Sequence, residues 1–150
     1  MHVQIGGVAH GLRLRLSAVP PAKKVDPAEL RAAMLAVTDW LRDETLPTPP
    51  RAALAAAVRL SARALAQDAP GNAVEVRVPP FVAVQCLEGV RHTRGTPPNV
   101  VETSPRTWLL LATGLDRLDA AIDDHRVSAS GHRAADIADL LPIVRVTPSN

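Results

Sequence analysis

The segment between residues 91 and 106 carries the side chains best suited to hold a charged ligand. They are Arg91, His92, Arg94 and Arg106. Arginine binds carboxylates and phosphates through its fork of donors, so this set predicts a basic rim for an anionic headgroup. The alternative is a solvated loop whose arginines pair with Glu88 and Glu102. The residues favour that alternative, because surface ion pairs are common and mostly weak.

No arrangement of nucleophile and base stands out along the chain. His92 has no serine, cysteine or acid at a spacing that suggests a proton relay. Ser128, Ser130 and His132 lie close together, but they do not form the Gly-x-Ser-x-Gly elbow that exposes a nucleophile at a strand-to-helix turn. We interpret them as a strand end and a turn. The sequence therefore predicts a protein that is not an enzyme.

The cysteine and histidine content excludes two further kinds of site. Cys86 is the single cysteine, so neither an intrachain disulfide nor a cysteine zinc cluster can form. It lies among valines in a strand pattern and is expected to be an inert core thiol, in a cytoplasmic protein. The histidines of the folded body, His92, His125 and His132, fall on separate segments. We expect no metal site and no cofactor.

Composition also limits the partners. Aromatic residues make up 2% of the 150 residues, so platforms on which bases could stack are nearly absent. The first 25 residues hold four basic side chains and no acid, and the rest of the chain is slightly acidic. A nucleic-acid-binding protein normally carries its positive charge on the folded body, so we expect no nucleic-acid partner. No apolar run approaches the ~18 residues of a membrane span, so no transmembrane segment is predicted.

The chain divides into a poorly ordered extension over residues 1–25, one domain over 26–146 and a short tail over 147–150. Whether residues 1–25 belong to the native protein stays open. Asp26, Pro27 and Glu29 form a helix-start signal, and an apolar stripe follows to about residue 44. A second helix starts after residue 48 and ends at the turn over residues 68–72. The two helices form a helical hairpin.

The remaining elements alternate between strands and helices. Valines alternate with charged residues over 74–78, and a second strand over 81–88 places Val82, Val84 and Cys86 on one face. Further strands are predicted at 99–103 and 127–130, and helices at 106–113, 115–122 and 134–141. The helix containing Trp108 is apolar around its whole circumference and should be buried on more than one side. The prediction is an α+β fold: an antiparallel sheet of about 4–5 strands, helices packed on one face, and the helical hairpin in front.

Three stretches together resemble the sterol carrier protein family. They are VEVRVPPFVAVQC, RHTRGTPPNVVETSPRTWLLLATG and VSASGHRAADIADLLPIV. The likeness runs over residues 25–144, is to the small actinobacterial branch, and extends to the C-terminal domain of maleylpyruvate-isomerase-like proteins. It implies an antiparallel sheet of about five strands with helices on one face, and an apolar tunnel between the two layers. The helical hairpin before the sheet departs from that pattern, and so does the lack of a peroxisomal ending.

The resemblance implies a non-enzymatic domain that binds a lipid or another apolar small molecule between sheet and helices. The ligand-binding residues expected on that basis are Val84, Cys86, Trp108, Leu109 and Leu111, with Arg91, His92, Arg94 and Arg106 at the rim. The alternative is a protein-interaction module with a filled core and no ligand. An accessory domain of a thiol-dependent isomerase is a third, weaker interpretation. The two main hypotheses differ in whether the space under the Trp108 helix is open or filled.

Overall fold

The computed structural model describes residues 23–89 and 98–147, and the elements follow the predicted order. They are α1 (Pro27–Arg42), α2 (Arg51–Asp68), β1 (Val74–Val78), β2 (Val82–Cys86), β3 (Val100–Thr103), α3 (Pro105–Thr113), α4 (Leu118–Asp123), β4 (Val127–Ser130) and a 3₁₀ helix (Ala134–Leu140). Most of the predicted N-terminal extension, residues 1–22, lies outside the described residues. Within the described ranges, none of the helices combines the length and the apolar character needed to cross a membrane.

The start of α1 is made by the residues that predicted it. The Asp26 carboxylate accepts a hydrogen bond from the Ala28 amide at 2.9 Å, and Pro27 occupies the first helical position. Such a cap satisfies one of the free N–H groups of the first turn. A buried stripe at helical spacing follows, formed by Leu30, Met34, Val37 and Leu41. This stripe packs α1 against α2 and α3.

The four strands form one sheet in the order β2-β1-β3-β4. Pairing is antiparallel between β1 and β2 and between β3 and β4, but parallel between β1 and β3, where Val76 lies opposite Val101. The predicted α+β class and strand number are confirmed, and the sheet is mixed rather than purely antiparallel. The reason is topological: β2 ends beside the start of β1, and β3 starts beside the same end of β1 on its other side, so β3 runs parallel to β1. Two hydrogen bonds hold the residues before β3 to the start of β1, from the Glu75 amide to the Asn99 carbonyl (3.0 Å) and from Asn99 Nδ2 to the Ala73 carbonyl (2.8 Å).

The two faces of the sheet differ in character. Val74, Val76 and Val78 are fully buried on the face that the helices cover, and α2 packs directly on β2. The opposite face carries Glu75 and Arg77, which form an ion pair at 2.6 Å. This alternation of apolar and polar residues places the core on one side of the sheet only.

Candidate functional site

Helix α3 closes the core from above the sheet. Ser104 caps its N-terminus by accepting a hydrogen bond from the Thr107 amide at 3.3 Å, and Gly114 ends it in the left-handed conformation at φ 78°. Trp108, Leu109, Leu111 and Ala112 are all at most 1% exposed. The predicted burial of this helix on more than one side is therefore confirmed.

The space around Trp108 is filled by the chain's own side chains. Trp108 is fully buried, and its indole Nε1 donates a hydrogen bond to Ser61 Oγ at 2.9 Å. Ser61 lies on α2, and its hydroxyl in turn donates to the Ala57 carbonyl at 2.6 Å. A buried indole normally needs such a partner, so the bond fixes the ring beneath α2. The indole thus occupies room that an acyl chain would otherwise need.

The other apolar residues expected to bind ligand lie in or beside the same core. Leu109 and Cys86 are fully buried, and Val84 is half-buried on the edge strand β2. Burial raises the pKa of the Cys86 thiol to about 11, because the thiolate would lose its hydration. The thiol therefore stays protonated at neutral pH, as expected for an unreactive core cysteine.

Only one residue of the expected basic rim lies within the described part of the chain. Arg91, His92 and Arg94 lie outside the described residues, whereas Arg106 is half-buried at the start of α3. Its Nη2 donates to the Leu41 carbonyl at 3.1 Å, and its Nη1 lies 3.6 Å from Glu44 Oε2. The guanidinium also lies 5.4 Å from the centre of the Trp40 ring. Arg106 therefore joins α3 to the end of α1, and its acidic neighbour is Glu44 rather than Glu88 or Glu102.

The remaining polar candidates show no arrangement for catalysis or metal binding. Ser128 and Ser130 are exposed on β4, and His132 is exposed just after it. His125 lies separately, after α4, in the left-handed conformation at φ 60°. Across residues 23–89 and 98–147, no three or more His, Cys, Asp or Glu side chains are grouped to hold a metal ion.

A surface cleft that the sequence did not reveal lies between α3, α4 and the 3₁₀ helix. Its volume is about 440 Å³. The lining is formed by Leu111, Gly114, Asp116, Arg117, Leu118, Asp119, Ala138, Leu141, Pro142 and Arg145. Leu111 is thus shared between the core and the cleft, and it is the expected ligand-binding residue that reaches this opening.

The last described segment of the chain builds one wall of the cleft. The amides of Ile143 and Val144 both donate to the Ala112 carbonyl, at 2.8 and 3.0 Å, and the Val146 amide donates to the Thr113 carbonyl at 3.1 Å. These bonds satisfy carbonyls at the end of α3 that have no partner within the helix. In the sequence, Pro142 marks the end of the last helical pattern and Gly114 marks the end of α3. Neither residue indicates that these two segments are in contact.

Most charges at the cleft edge are paired. Asp116 Oδ2 accepts a hydrogen bond from Arg126 at 2.5 Å, and Arg117 lies 3.1 Å from Asp119. The hydrogen bond from Arg117 lowers the pKa of the Asp119 carboxyl. Arg145 has no carboxylate partner in the part of the chain that the structure describes. The lining therefore places two acids and two arginines beside aliphatic side chains, and polar and apolar atoms contribute to it about equally.

Comparison with known proteins identifies the family of this chain. A search of curated proteins finds no match for this chain. The family model described as "Bacterial SCP ortholog", where SCP denotes sterol carrier protein, matches residues 50–143. The match begins at α2 and covers the sheet, α3, α4 and the 3₁₀ helix, whereas α1 precedes it. Because this match covers more than half of the 150 residues, the chain belongs to the bacterial sterol carrier protein-like family.

Proposed function

We propose that this protein is a non-enzymatic binding protein that holds the apolar part of a small amphipathic molecule in the cleft between α3, α4 and the 3₁₀ helix. The observation that carries the proposal is the lining, which combines aliphatic side chains with charged ones in one cleft. The cleft volume of about 440 Å³ falls within the ~300–1,000 Å³ usual for small-molecule sites. Family membership supports the same class of ligand.

The accessible aliphatic surface of the cleft comes mainly from Leu141, Pro142 and Ala138. Leu141 and Pro142 are half-buried and Ala138 is exposed, whereas Leu111 and Leu118, at 1% and 5% exposed, belong to the core. Burial of four methylene groups there would contribute about 3 kcal/mol, at about 0.8 kcal/mol each.

The edge suits a polar head without strong net charge. Both carboxylates of the lining are already paired, Asp116 with Arg126 and Asp119 with Arg117. Such paired charges attract neither a free anion nor a free cation strongly, and they can still exchange hydrogen bonds with a polar head. We therefore expect an uncharged or zwitterionic amphiphile, such as a long-chain alcohol or a monoacylglycerol.

The second candidate is a protein-interaction module, and the packing around Trp108 is the observation that favours it. The buried indole and its hydrogen bond to Ser61 join α3 to α2 inside the same core cluster as the sheet valines. If the surface cleft also binds no small molecule, a protein partner that contacts the surface of the domain becomes the better explanation. The two candidates can be separated by filling the cleft.

The test uses a matched pair of variants on the 3₁₀ helix. Ala138 lines the cleft and Ala135 does not, and both side chains are exposed. Ala138→Phe should fill the cleft and weaken binding of Nile red, an uncharged apolar dye, by about tenfold or more, with decanol displacing the dye from the wild type. Ala135→Phe should leave dye affinity within about twofold, because surface changes away from a site are usually small in effect. If the wild type binds neither dye nor decanol, or both variants weaken binding equally, the cleft is not the site and the interaction module is the better account.

A further inference from the structure

A second cleft, of about 360 Å³, lies between α1 and the last described segment of the chain. It is lined by Arg31, Leu35, Thr38, Asp39, Arg42, Arg145, Val146 and Thr147. The residues from α1 recur at helical spacing, so they lie along one side of that helix, where all but the buried Thr38 are exposed. This face lies outside the residues that the family model matches, so the cleft is a feature of this chain and not of the matched domain.

The charges of this cleft are unbalanced, unlike those of the first. Three arginines line it, and Asp39 is the one acid among its lining residues. Within residues 23–89 and 98–147, neither Arg31, Arg42 nor Arg145 forms an ion pair with a carboxylate. Like charges gathered on one surface repel, so an anion bound in the cleft would relieve that repulsion, most strongly for the guanidinium groups nearest to it.

The guanidinium groups are the charged donors of the cleft. Thr38 cannot serve, because its hydroxyl donates to the Met34 carbonyl at 2.7 Å. Arg42 Nη2 donates to the Thr147 carbonyl, which fixes that side chain at the cleft and leaves its other donors available. Leu35 is 51% exposed and provides an apolar wall beside the arginines.

We propose that this second cleft binds a small molecule carrying a dianionic phosphate group, with its apolar part against Leu35. A phosphate accepts several charge-assisted hydrogen bonds, and the planar fork of arginine matches its oxygens in pairs. Three guanidinium groups against one carboxylate suit a dianion better than a monoanion. This site is separate from the proposed amphiphile cleft, although Arg145 lines both.

The test is calorimetric titration with phenyl phosphate at about 0.15 M salt, where exposed charges more than ~8 Å apart are largely screened. Arg31→Gln should weaken binding about tenfold, because it removes charge-assisted hydrogen bonds to the ligand. The control is Arg63→Gln, an exposed arginine of α2 that lines neither cleft and loses the same charge. It should keep affinity within twofold. Phenyl sulfate, a monoanion with the same ring, should bind at least fivefold more weakly than phenyl phosphate.

Two further arms identify the source of the phosphate. Binding of phenyl phosphate indicates a soluble ligand. Binding only to vesicles containing phosphatidic acid, and not to phosphatidylcholine vesicles, indicates that the phosphate is a lipid headgroup. The proposal is overturned if neither phosphate probe binds saturably, if phenyl sulfate binds as well as phenyl phosphate, or if Arg63→Gln weakens binding as much as Arg31→Gln. Because Arg31 does not line the first cleft, its substitution leaves the Nile red result unchanged, and the two proposals fail separately.

Discussion

Replacing Ser61 with alanine tests whether the Trp108 indole is held by a hydrogen bond or by packing alone. In the wild type, indole Nε1 donates to Ser61 Oγ at 2.9 Å, and both residues are fully buried. Ser61→Ala removes the acceptor and leaves the N–H without a partner in the core. The substitution removes one oxygen atom, so little packing is lost and the polar effect dominates.

The expected cost follows from two opposing effects. A buried donor left unsatisfied costs about 1–3 kcal/mol. Alanine at a mid-helix position returns about 0.5 kcal/mol through its better helix propensity. The free energy of unfolding should therefore fall by about 0.5–2.5 kcal/mol, which corresponds to roughly 1–10 °C in the melting temperature for a chain of this size.

The assay is urea unfolding followed by circular dichroism, as a double-mutant cycle with Trp108→Phe. Phenylalanine has no N–H, so in that background Ser61→Ala should keep only its gain of about 0.5 kcal/mol in helix propensity. The coupling energy should then equal the cost of the unsatisfied donor, about 1–3 kcal/mol. Ser130→Ala, at an exposed position of β4, serves as the control and should stay within about 0.5 kcal/mol of wild type. An equal cost of Ser61→Ala in both backgrounds would refute the reasoning, because the loss would then come from packing rather than from the indole.

Three further predictions, two substitutions and one pH dependence, test other features of the fold. Gly131→Ala should destabilise by more than about 2 kcal/mol in thermal melts, because φ there is +91° and a Cβ would lie 2.3 Å from Asn99 Oδ1. His125→Gly should raise the free energy of unfolding by about 0.5–1 kcal/mol, because the exposed His125 has φ 60°, which glycine adopts without strain; an unchanged or lower stability would contradict this. Burial raises the pKa of Cys86 to about 11, so the folded protein keeps the proton that the unfolded chain releases, and stability should fall as pH rises from about 9 to 11. Relative to Cys86→Ala, this loss should reach up to about 3 kcal/mol in urea unfolding, and the chain contains no tyrosine to obscure it.

Local signals in the sequence predicted the elements well because each depends on neighbours along the chain. Asp26 and Ser104 cap their helices as their positions before proline indicated. The alternation of Val74, Val76 and Val78 with charged residues predicted a strand buried on one face. Such patterns follow from the 3.6-residue and 2-residue periods of helix and strand, which the sequence carries directly.

Features that join distant parts of the chain could not be read in the same way. The parallel pairing of β1 with β3 joins strands that are not consecutive in the chain, and no local residue pattern specifies it. Arg106 was assigned to a ligand rim because of its neighbours in sequence, yet its contacts are with Leu41 and Glu44 on the preceding helical hairpin. Both clefts require the segment after the 3₁₀ helix to return to α3 and α1, a contact that links residues far apart in the chain.

Helix α1 is part of the folded core although the family match begins after it. Its residues Leu30, Met34, Val37 and Leu41 join the same buried cluster as Trp108. The guanidinium of Arg106, which lies within the matched region, donates to the Leu41 carbonyl at 3.1 Å, and its Nε is buried without a hydrogen-bond partner among the described residues. Without α1, the same guanidinium would lose its acceptor, and the apolar surface that α1 covers on α2 and α3 would meet water. Helix α1 is therefore a structural layer of the domain. Its outer face also carries Arg31 and Arg42, which line the second cleft.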